Sequence, residues 1–256
     1  MTLKSFSTIL LILLLTGCAL PEQADPTKNW SASKFYSEAK TYMLDGEYDL
    51  AIKHYNGLQA RYPFGRYATQ SQLDIIYAHY KNGEPDSAIA ASDRFIKLNP
   101  QSQYVDYAYY MKGLANYNRN QSFLSSILPT DSSERDAGAA LDSFNDFAEL
   151  IRRYPDSKYS ADAHQRMLYL RNNLSKYQIH IARYYMKRGA YLAAANRANR
   201  VVTQFQRTDS VQEALEIMID AYSRLGLTEL AKDAQRVLAL NLENGRLTQP
   251  ASEETE

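Results

Sequence analysis

The stretch Asp45-Gly46-Glu47-Tyr48-Asp49-Leu50-Ala51 decides the fold, because it places an alanine five residues after a turn glycine. The same spacing returns at Gly83 and Ala88, at Gly189 and Ala194, and at Gly226 and Ala231. Glycine tolerates the left-handed conformation that ends a helix, and a small residue on the next helix lets two backbones approach. The pattern predicts a repeated helix-turn-helix unit.

The residues around the first turn support this interpretation. Two apolar stripes with helical spacing flank it: Phe35, Ala39 and Tyr42 before the turn, and Ala51, Tyr55 and Leu58 after it. Twelve residues after the alanine, Pro63 and then Pro100 end the first two pairs, since proline cannot continue the hydrogen-bond ladder. Counting back from Pro155 adds another unit, with Ser143 in the small-residue position.

The repeat length identifies the class of architecture. The distance from Ala51 to Ala88, and from Ala194 to Ala231, is close to the ~34 residues of a tetratricopeptide repeat (TPR). One pair cannot bury its own apolar stripe, whereas stacked pairs can. We therefore predict an all-α fold, an α-solenoid of about five tetratricopeptide helix-turn-helix repeats.

The third, fourth and fifth units carry distinctive local features. A long insertion, 118–136, interrupts the third unit between its helices, and loops of this length are functional or disordered. In the fourth unit the first helix extends from Ser160 to about Arg188 without glycine or proline. Ser210-Val211-Gln212-Glu213 predicts a capping box at the start of the last unit.

The N-terminus predicts export and lipidation. Residues 1–17 have a basic residue and an apolar run of the length of a secretory signal, too short to span a bilayer. Leu15-Thr16-Gly17-Cys18 matches a bacterial lipobox, and Cys18 is the only cysteine in the chain. The alternative is an ordinary signal peptide with an incidental cysteine. We predict a diacylglyceryl and an N-acyl group on Cys18, with no other cofactor, and Ala19 in the next position favours the outer membrane.

The remaining segments divide around the insertion. Residues 18–30 are predicted to be the lipidated N-terminus and a flexible tether, followed by N-terminal units in 31–117, C-terminal units in 137–244, and a flexible polar tail in 245–256. The net formal charge is zero. Without a basic excess, nucleic acid is not a predicted partner.

Tyrosines dominate the predicted concave side of the N-terminal units, which the first helix of each pair lines. Projecting the repeat onto that side selects, together with Met43 and Leu73, the following tyrosines: Tyr36, Tyr77, Tyr80, Tyr107, Tyr110 and Tyr117. Tyrosine combines a large stiff surface with a polar tip, which suits peptide recognition. The two interpretations are a groove for an extended or aromatic-ended peptide and ordinary core between repeats.

A basic stretch marks the C-terminal units. Between Ala163 and Thr208 there is no acidic residue, but there are nine basic ones: Arg166, Arg171, Lys176, Arg183, Lys187, Arg188, Arg197, Arg200 and Arg207. A solvated helix face normally mixes both signs. The stretch predicts an acidic docking partner or anionic lipid headgroups, with chance clustering as the alternative.

Nothing in the sequence predicts catalysis. His54, His79, His164 and His180 form no pair at metal-ligand spacing. Nucleophile-elbow, P-loop and dinucleotide-binding motifs are absent from the sequence. We predict a binding protein and not an enzyme.

Several longer strings resemble the BamD family, the lipoproteins of the β-barrel assembly machinery (BAM complex). They are Arg61-Tyr62-Pro63-Phe64-Gly65, Gln72-Leu73-Asp74-Ile75-Ile76-Tyr77-Ala78, Asp93-Arg94-Phe95-Ile96-Lys97-Leu98-Asn99-Pro100, Asp106-Tyr107, Tyr110-Met111-Lys112-Gly113-Leu114, Arg188-Gly189-Ala190 and Asn196-Arg197. The resemblance covers nearly the whole mature chain, including the lipobox and the third-unit insertion. The chain departs from the family at Gln206, where a Tyr-Pro pair usually closes the fourth repeat.

The resemblance implies a lipid-anchored scaffold at the periplasmic face of the outer membrane. C-terminal repeats would dock on a POTRA domain of a BamA-like barrel subunit and engage other lipoproteins of the complex, and we assign Arg188, Asn196, Arg197 and Arg200 to that docking surface. The N-terminal groove, with Tyr62 added to the tyrosines above, would receive the aromatic-ended C-terminal signal of unfolded outer-membrane proteins.

Three other functions are alternatives for a chain of this kind. A TPR pilot lipoprotein for another assembly, such as a type IV pilus secretin, explains the lipobox and the repeats but not the longer strings. An envelope protein bound to peptidoglycan or the Tol-Pal system would show a coiled coil or a glycan-binding segment. An enzyme would need an unrecognised helical active site.

Overall fold

The computed structural model describes residues 25–119 and 137–243, and within those ranges the chain is helical with no strand. The ten described helices are α1 (Ala32–Leu44), α2 (Tyr48–Arg61), α3 (Arg66–Lys81), α4 (Pro85–Leu98), α5 (Val105–Asn118), α6 (Ala137–Arg153), α7 (Ser160–Lys187), α8 (Tyr191–Gln204), α9 (Ser210–Arg224) and α10 (Thr228–Glu243). They form five antiparallel pairs, which confirms the predicted all-α repeat architecture. The predicted signal peptide and Cys18 lie outside the described residues, as do 120–136 and 244–256.

The turn inside four of the five pairs has one backbone conformation. Gly46, Gly83, Gly189 and Gly226 all have φ between 71° and 79°. The residue after each glycine donates its N–H to a carbonyl five residues back, as from Glu47 to Tyr42 at 2.8 Å. This bond satisfies a carbonyl that the helix end leaves open. The predicted role of the turn glycines is confirmed.

Three of the four junctions between pairs have similar caps, including the one that lacks a proline. Tyr62, Asn99 and Phe205 cap α2, α4 and α8 with φ of −130°, −129° and −121°. Gln206 therefore replaces the usual proline without changing the cap. Arg207 follows with a φ of 62°, and the buried Thr208 donates its hydroxyl to the carbonyl of Phe205 at 2.8 Å.

The helices of each pair meet at the predicted small residues. Ala51, Ala88, Ser143 and Ala194 are fully buried, and Ala231 is nearly so. The tightest contact joins α5 to α6, where Ser143 Oγ donates to the carbonyl of Gly113 at 2.9 Å. A Cβ on Gly113 would lie 2.5 Å from Cε1 of the fully buried Phe147. The α5–α6 pair therefore depends on the missing side chain at Gly113.

The long helix α7 joins the two halves of the solenoid. It has 28 residues, which is about 42 Å at 1.5 Å per residue. Ala163 and Leu170 in its first half belong to the core that contains Phe95 and Phe147, whereas Ile179 and Ala182 belong to the core of α8–α10. One rigid element thus enters both cores.

The insertion starts later than predicted. Asn118 is the last residue of α5, and its Nδ2 donates to the hydroxyl of Tyr80 at 2.7 Å. Arg119 caps the helix and pairs with Asp86 at 3.1 Å. These contacts keep the chain in the helix beyond residue 117.

The predicted capping box at the last unit is wrong. Asp209 is the N-cap of α9 and Ser210 is its first helical residue. Ser210 is buried, and its hydroxyl lies 2.9 Å from Ser175 Oγ on α7. Glu213 reaches across to Arg183 on α7 instead of back to the cap. Because Ser210 and Glu213 contact α7, neither side chain caps the start of α9.

The end of the predicted tether is packed against the first unit, which corrects the predicted boundary at residue 30. Asp25 to Asn29 form a turn, and Arg61 holds it by donating to the carbonyls of Thr27 and Lys28 and pairing with Asp25 at 3.1 Å. The hydroxyl of Tyr62 donates to the carbonyl of Trp30 at 2.8 Å. The residues 25–30 are therefore part of the folded body.

A three-ring stack completes this contact. The His54 imidazole lies between Trp30, with ring centroids 5.4 Å apart, and Tyr42, with centroids 5.2 Å apart and parallel planes. Burial lowers the pKa of His54 below its ordinary value, with a smaller contribution from Lys53 and an opposing one from Glu38. The stack therefore favours the neutral imidazole.

Gly113→Ala is expected to destabilise the protein even though alanine is the better helix former. The Cβ would overlap the Phe147 ring, and overpacking costs about 1–3 kcal/mol, which exceeds the ~1 kcal/mol gain in helix propensity. The free energy of unfolding, measured in urea, should fall. Adding Phe147→Leu should reduce the penalty of the alanine, and an unchanged penalty in that background would contradict the proposed clash.

The His54 stack predicts a pH-dependent stability. Because the folded-state pKa is below the unfolded value of 6.5, the unfolded chain binds more protons between the two values, so stability is lost as pH falls through this window. His54→Phe retains an aromatic ring but does not titrate. The urea midpoint of the wild type should drop more than that of the variant between pH 7.5 and 5.5. Parallel pH profiles would show that His54 is not responsible.

Candidate functional site

A buried carboxylate organises the tyrosines of the first two units. Asp74 on α3 is 8% exposed. Its Oδ2 accepts from the hydroxyls of Tyr36 at 2.8 Å and Tyr55 at 3.0 Å, and its Oδ1 lies 3.8 Å from Lys40 Nζ. Burial and this carboxylate raise the pKa of both phenols, so they remain neutral donors. Asp74 thereby fixes the ring of Tyr36 at the contact between α1 and α3.

A second group of tyrosines joins α5 to the start of α7. Tyr110 stacks on Tyr159 with centroids 4.7 Å apart, and Tyr107 lies 5.8 Å from the same ring. The Tyr110 hydroxyl donates to Asp162 Oδ2 at 2.7 Å, and burial, followed by this bond, raises the pKa of Tyr110 to about 12. Asp162 also pairs with Arg166 at 2.6 Å.

Arg166 extends this group along α7. Its guanidinium carbon lies 5.1 Å from the centroid of Tyr117, whose ring is 6.1 Å from Tyr169. Cations over aromatic faces are attracted by the ring quadrupole. Tyr80 packs on the same core and accepts from Asn118. The surface between α3, α5 and α7, here called the aromatic face, therefore carries two groups of aromatic rings that the Asp162–Arg166 pair connects.

The seven tyrosines predicted for the groove differ in accessibility. Tyr36, Tyr62, Tyr80, Tyr107, Tyr110 and Tyr117 are half-buried, and only Tyr77 among them counts as exposed, at 38%. Tyr62 lies at the α2–α3 junction, where Tyr36 also packs on the cluster of Phe35, Leu58 and Ala68. Met43 and Leu73 are buried core, so their predicted place on the open surface is wrong.

The hydrogen bonds within the chain determine which parts of these tyrosines can contact a ligand. The hydroxyls of Tyr36, Tyr62 and Tyr110 are each bonded within the chain. Ring faces and edges, and not these hydroxyls, are therefore what the surface offers to a ligand. Such a surface suits apolar and aromatic side chains.

Sequence reasoning missed the residues of α7 that build this face. Tyr159 caps the start of α7, and Asp162, Arg166 and Tyr169 lie in the part of the helix that exceeds the repeat length. No repeat position selected them, and Arg166 was assigned to the basic stretch only. Asp74 was also missed, although a lone aspartate among apolar residues in Leu73-Asp74-Ile75-Ile76 signals a buried polar role.

The basic stretch is partly neutralised by acids from outside it. Arg166 pairs with Asp162, and Arg183 pairs with Glu213. Arg171 is half-buried with its Nε unbonded, and burial, with a contribution from Arg207, lowers its pKa.

The four residues predicted for docking lie on the α7–α8 hairpin. Arg188 caps α7, while Asn196 and Arg200 lie one turn apart on α8, and all three are exposed. Arg197 is half-buried and donates to Gln178 Oε1 at 3.2 Å. Throughout 25–119 and 137–243, no carboxylate forms an ion pair with any of these arginines. Arg188 and Arg200 are thus the more available charges.

Within the described ranges, the side chains form no metal cluster and the helices are not membrane spans. No group of three or more His, Cys, Asp or Glu side chains there is placed to hold a metal ion. None of the ten helices combines the length and the apolarity that crossing a bilayer requires.

Comparison with known proteins places the chain in a family. Residues 28–238 match the family described as "YfiO: Outer membrane lipoprotein". "Outer membrane protein assembly factor BamD" of Neisseria meningitidis serogroup A is 45% identical over 93% of this chain and 91% of its own length. The BamD of Vibrio cholerae is 36% identical over 94% of this chain and 99% of its own.

Among solved structures, "MamA protein" is 16% identical and the match covers 88% of this chain and 96% of that protein, with a TM-score of 0.40. At this level the match adds nothing to the helix pairing described above. The two BamD relatives, both above 30% identity and matched over nearly their whole length, decide the assignment. The chain belongs to the BamD (YfiO) family of outer-membrane lipoproteins.

Proposed function

We propose that this protein is a lipid-anchored scaffold of the outer-membrane β-barrel assembly machinery and has no catalytic role. The observation that carries the proposal is the 45% identity to an outer-membrane protein assembly factor over more than nine-tenths of both chains. The lipobox at Cys18 supplies the anchor, at the periplasmic face of the outer membrane. No observation favours a secretin pilot.

The aromatic face is proposed as the binding surface for unfolded outer-membrane proteins. Tyr77 is open to solvent and lies one turn from Asp74 on α3. It is near enough to Tyr107 to contribute, after burial, Tyr159 and Asp74, to the raised pKa of that phenol. A C-terminal signal that ends in an aromatic residue would stack on these rings. Arg166, at the α7 end of the face, would lie near the terminal carboxylate of such a peptide.

The exposed arginines of the α7–α8 hairpin are proposed as the docking surface for a POTRA domain of a BamA-like subunit. Exposed cations without carboxylate partners complement an acidic surface and accelerate encounter. Arg197 would act partly through its position, because its bond to Gln178 ties α8 to α7. Other lipoproteins of the machinery are further proposed partners of the C-terminal units.

A photo-cross-linking residue at position 77 is expected to capture a peptide that corresponds to the final strand of a barrel protein. Capture should fall when the terminal aromatic residue of the peptide is replaced by alanine. The same probe in place of Lys53, which is exposed on α2, is the control and should capture little. Equal capture at both positions would contradict the aromatic groove.

Arg188→Glu combined with Arg200→Glu is expected to weaken association with the barrel subunit at least tenfold, equivalent to about 1.4 kcal/mol. Both side chains are exposed, so the fold should be retained. The measurement is recovery of a POTRA-bearing protein with the tagged chain from detergent-solubilised membranes. Lys176→Glu, an exposed charge reversal in the same acid-free stretch, is the control.

Two results would count against this proposal in different ways. Undiminished recovery in the double variant would move the docking surface elsewhere. Recovery of secretin or Tol-Pal components without a barrel subunit would contradict the assigned machinery itself.

A further inference from the structure

A cleft of about 270 Å³ lies between α2, α3 and α4. The buried side chains of Ile75 and Phe95 contribute its apolar floor. Asn56 and Gln59 on α2 and Arg94 on α4 contribute polar groups to its walls. The cleft is therefore a trough with apolar side chains at its floor and polar side chains along its walls.

The cleft is separate from the aromatic face. Ile75 and Tyr77 are two positions apart on α3, and at 3.6 residues per turn their side chains leave the helix in directions about 160° apart. Gln72 and His79 recur with Ile75 at helical spacing and also line the cleft. The two surfaces thus use different sides of α3, and a ligand in the cleft would not contact Tyr77.

Several polar groups of the cleft have no partner among the residues that the structure describes. Gln72 accepts from Asn99 Nδ2 at 2.9 Å, and His79 Nδ1 lies 2.6 Å from Glu84. The side chains of Asn56, Gln59 and Arg94, by contrast, form no hydrogen bond or ion pair with any residue in 25–119 or 137–243. No acidic residue lines the cleft. The walls therefore present unused carboxamides and one uncompensated cation.

These groups select a type of ligand. Each carboxamide offers a donor and an acceptor, which matches the alternating N–H and C=O groups of a peptide main chain. Arginine only donates, and its fork geometry fits a carboxylate. Ala90 and Ala91 in the wall leave space for close approach of a backbone.

The dimensions also fit an extended peptide. From Gln72 to His79 the trough follows eight residues of α3, whose seven rises of 1.5 Å span about 10 Å. An extended chain covers that distance with about three residues at ~3.3 Å each. The cleft is slightly smaller than the pockets of about 300–1,000 Å³ that hold drug-sized molecules.

We propose that the cleft between α2 and α4 binds an extended peptide segment of a partner protein, with an aspartate or glutamate of that segment on Arg94. The main chain of this peptide would form hydrogen bonds with the side chains of Asn56 and Gln59 and with the Nε2 group of Gln72, whose Oε1 is already bonded to Asn99. The inference uses none of the residues of the aromatic face or the docking surface. It therefore stands or fails independently of the proposed function.

The test starts with a random library of nine-residue peptides, selected on the full-length protein in detergent. Selected peptides are measured individually by fluorescence anisotropy. We expect them to share one acidic residue. Arg94→Gln should weaken binding at least tenfold, whereas Lys97→Gln, a matched exposed cation one turn along α4 and outside the lining, should change it less than twofold.

A double-mutant cycle makes the assignment specific. Replacing the shared acidic residue of the peptide by its amide should weaken binding to the wild type and leave binding to Arg94→Gln unchanged. Circular dichroism should show that Arg94→Gln is folded, since the side chain is exposed.

Four results would overturn the proposal. They are selection of no binding peptide, equal losses in Arg94→Gln and Lys97→Gln, loss of binding in Tyr77→Ala, and displacement of the peptide by millimolar acetate. The third would assign the peptides to the aromatic face, and the last would show a small-anion site only.

Discussion

The close approach of two helices at one small side chain is the constraint on which the solenoid depends. At Ala51, Ala88, Ser143, Ala194 and Ala231 the side chain is small enough for the partner helix to pack directly against it. In the α5–α6 pair the requirement is strictest, because Phe147 occupies the space beside Gly113. Each pair then presents a flat apolar side to the next, so that stacking continues from unit to unit.

Helix α7 makes the solenoid more than a series of equal repeats. Tyr159 at its N-cap and Asp162 and Arg166 in its first half belong to the aromatic face, and Arg188 lies at its C-cap beside α8. Because the helix is continuous and buried in two cores, the aromatic face and the arginine hairpin are held at a fixed separation. Any rotation of α7 would displace both surfaces together.

The sequence predicted the repeats well because glycine turns and buried small residues are local signals with a fixed spacing. Contacts between units were less predictable. The spacing of Ser210 and Glu213 predicted a local capping box. In the structure Ser210 bonds to Ser175 and Glu213 pairs with Arg183, both on α7. Trp30 was likewise predicted to belong to the tether, but its ring packs on Phe35 and His54 and its carbonyl accepts from Tyr62. Only the N-terminal part of the aromatic face was predicted, because α7 is longer than a helix of the repeat. The cleft was not predicted, because the amide side chains in its walls carry no periodic signal.

Arg61 and Tyr62 hold residues 25–30 against the first unit. This packing shortens the segment that connects Cys18 to the folded body. If Cys18 carries the acyl chains as proposed, seven peptide steps separate it from Asp25, which span at most about 25 Å. The N-terminal end of the first unit would then stay within about 25 Å of the bilayer surface, a distance shorter than the length of α7. Polypeptides that leave the periplasm for the membrane would meet this end of the solenoid within that distance, at a much higher local concentration than a long free linker would give.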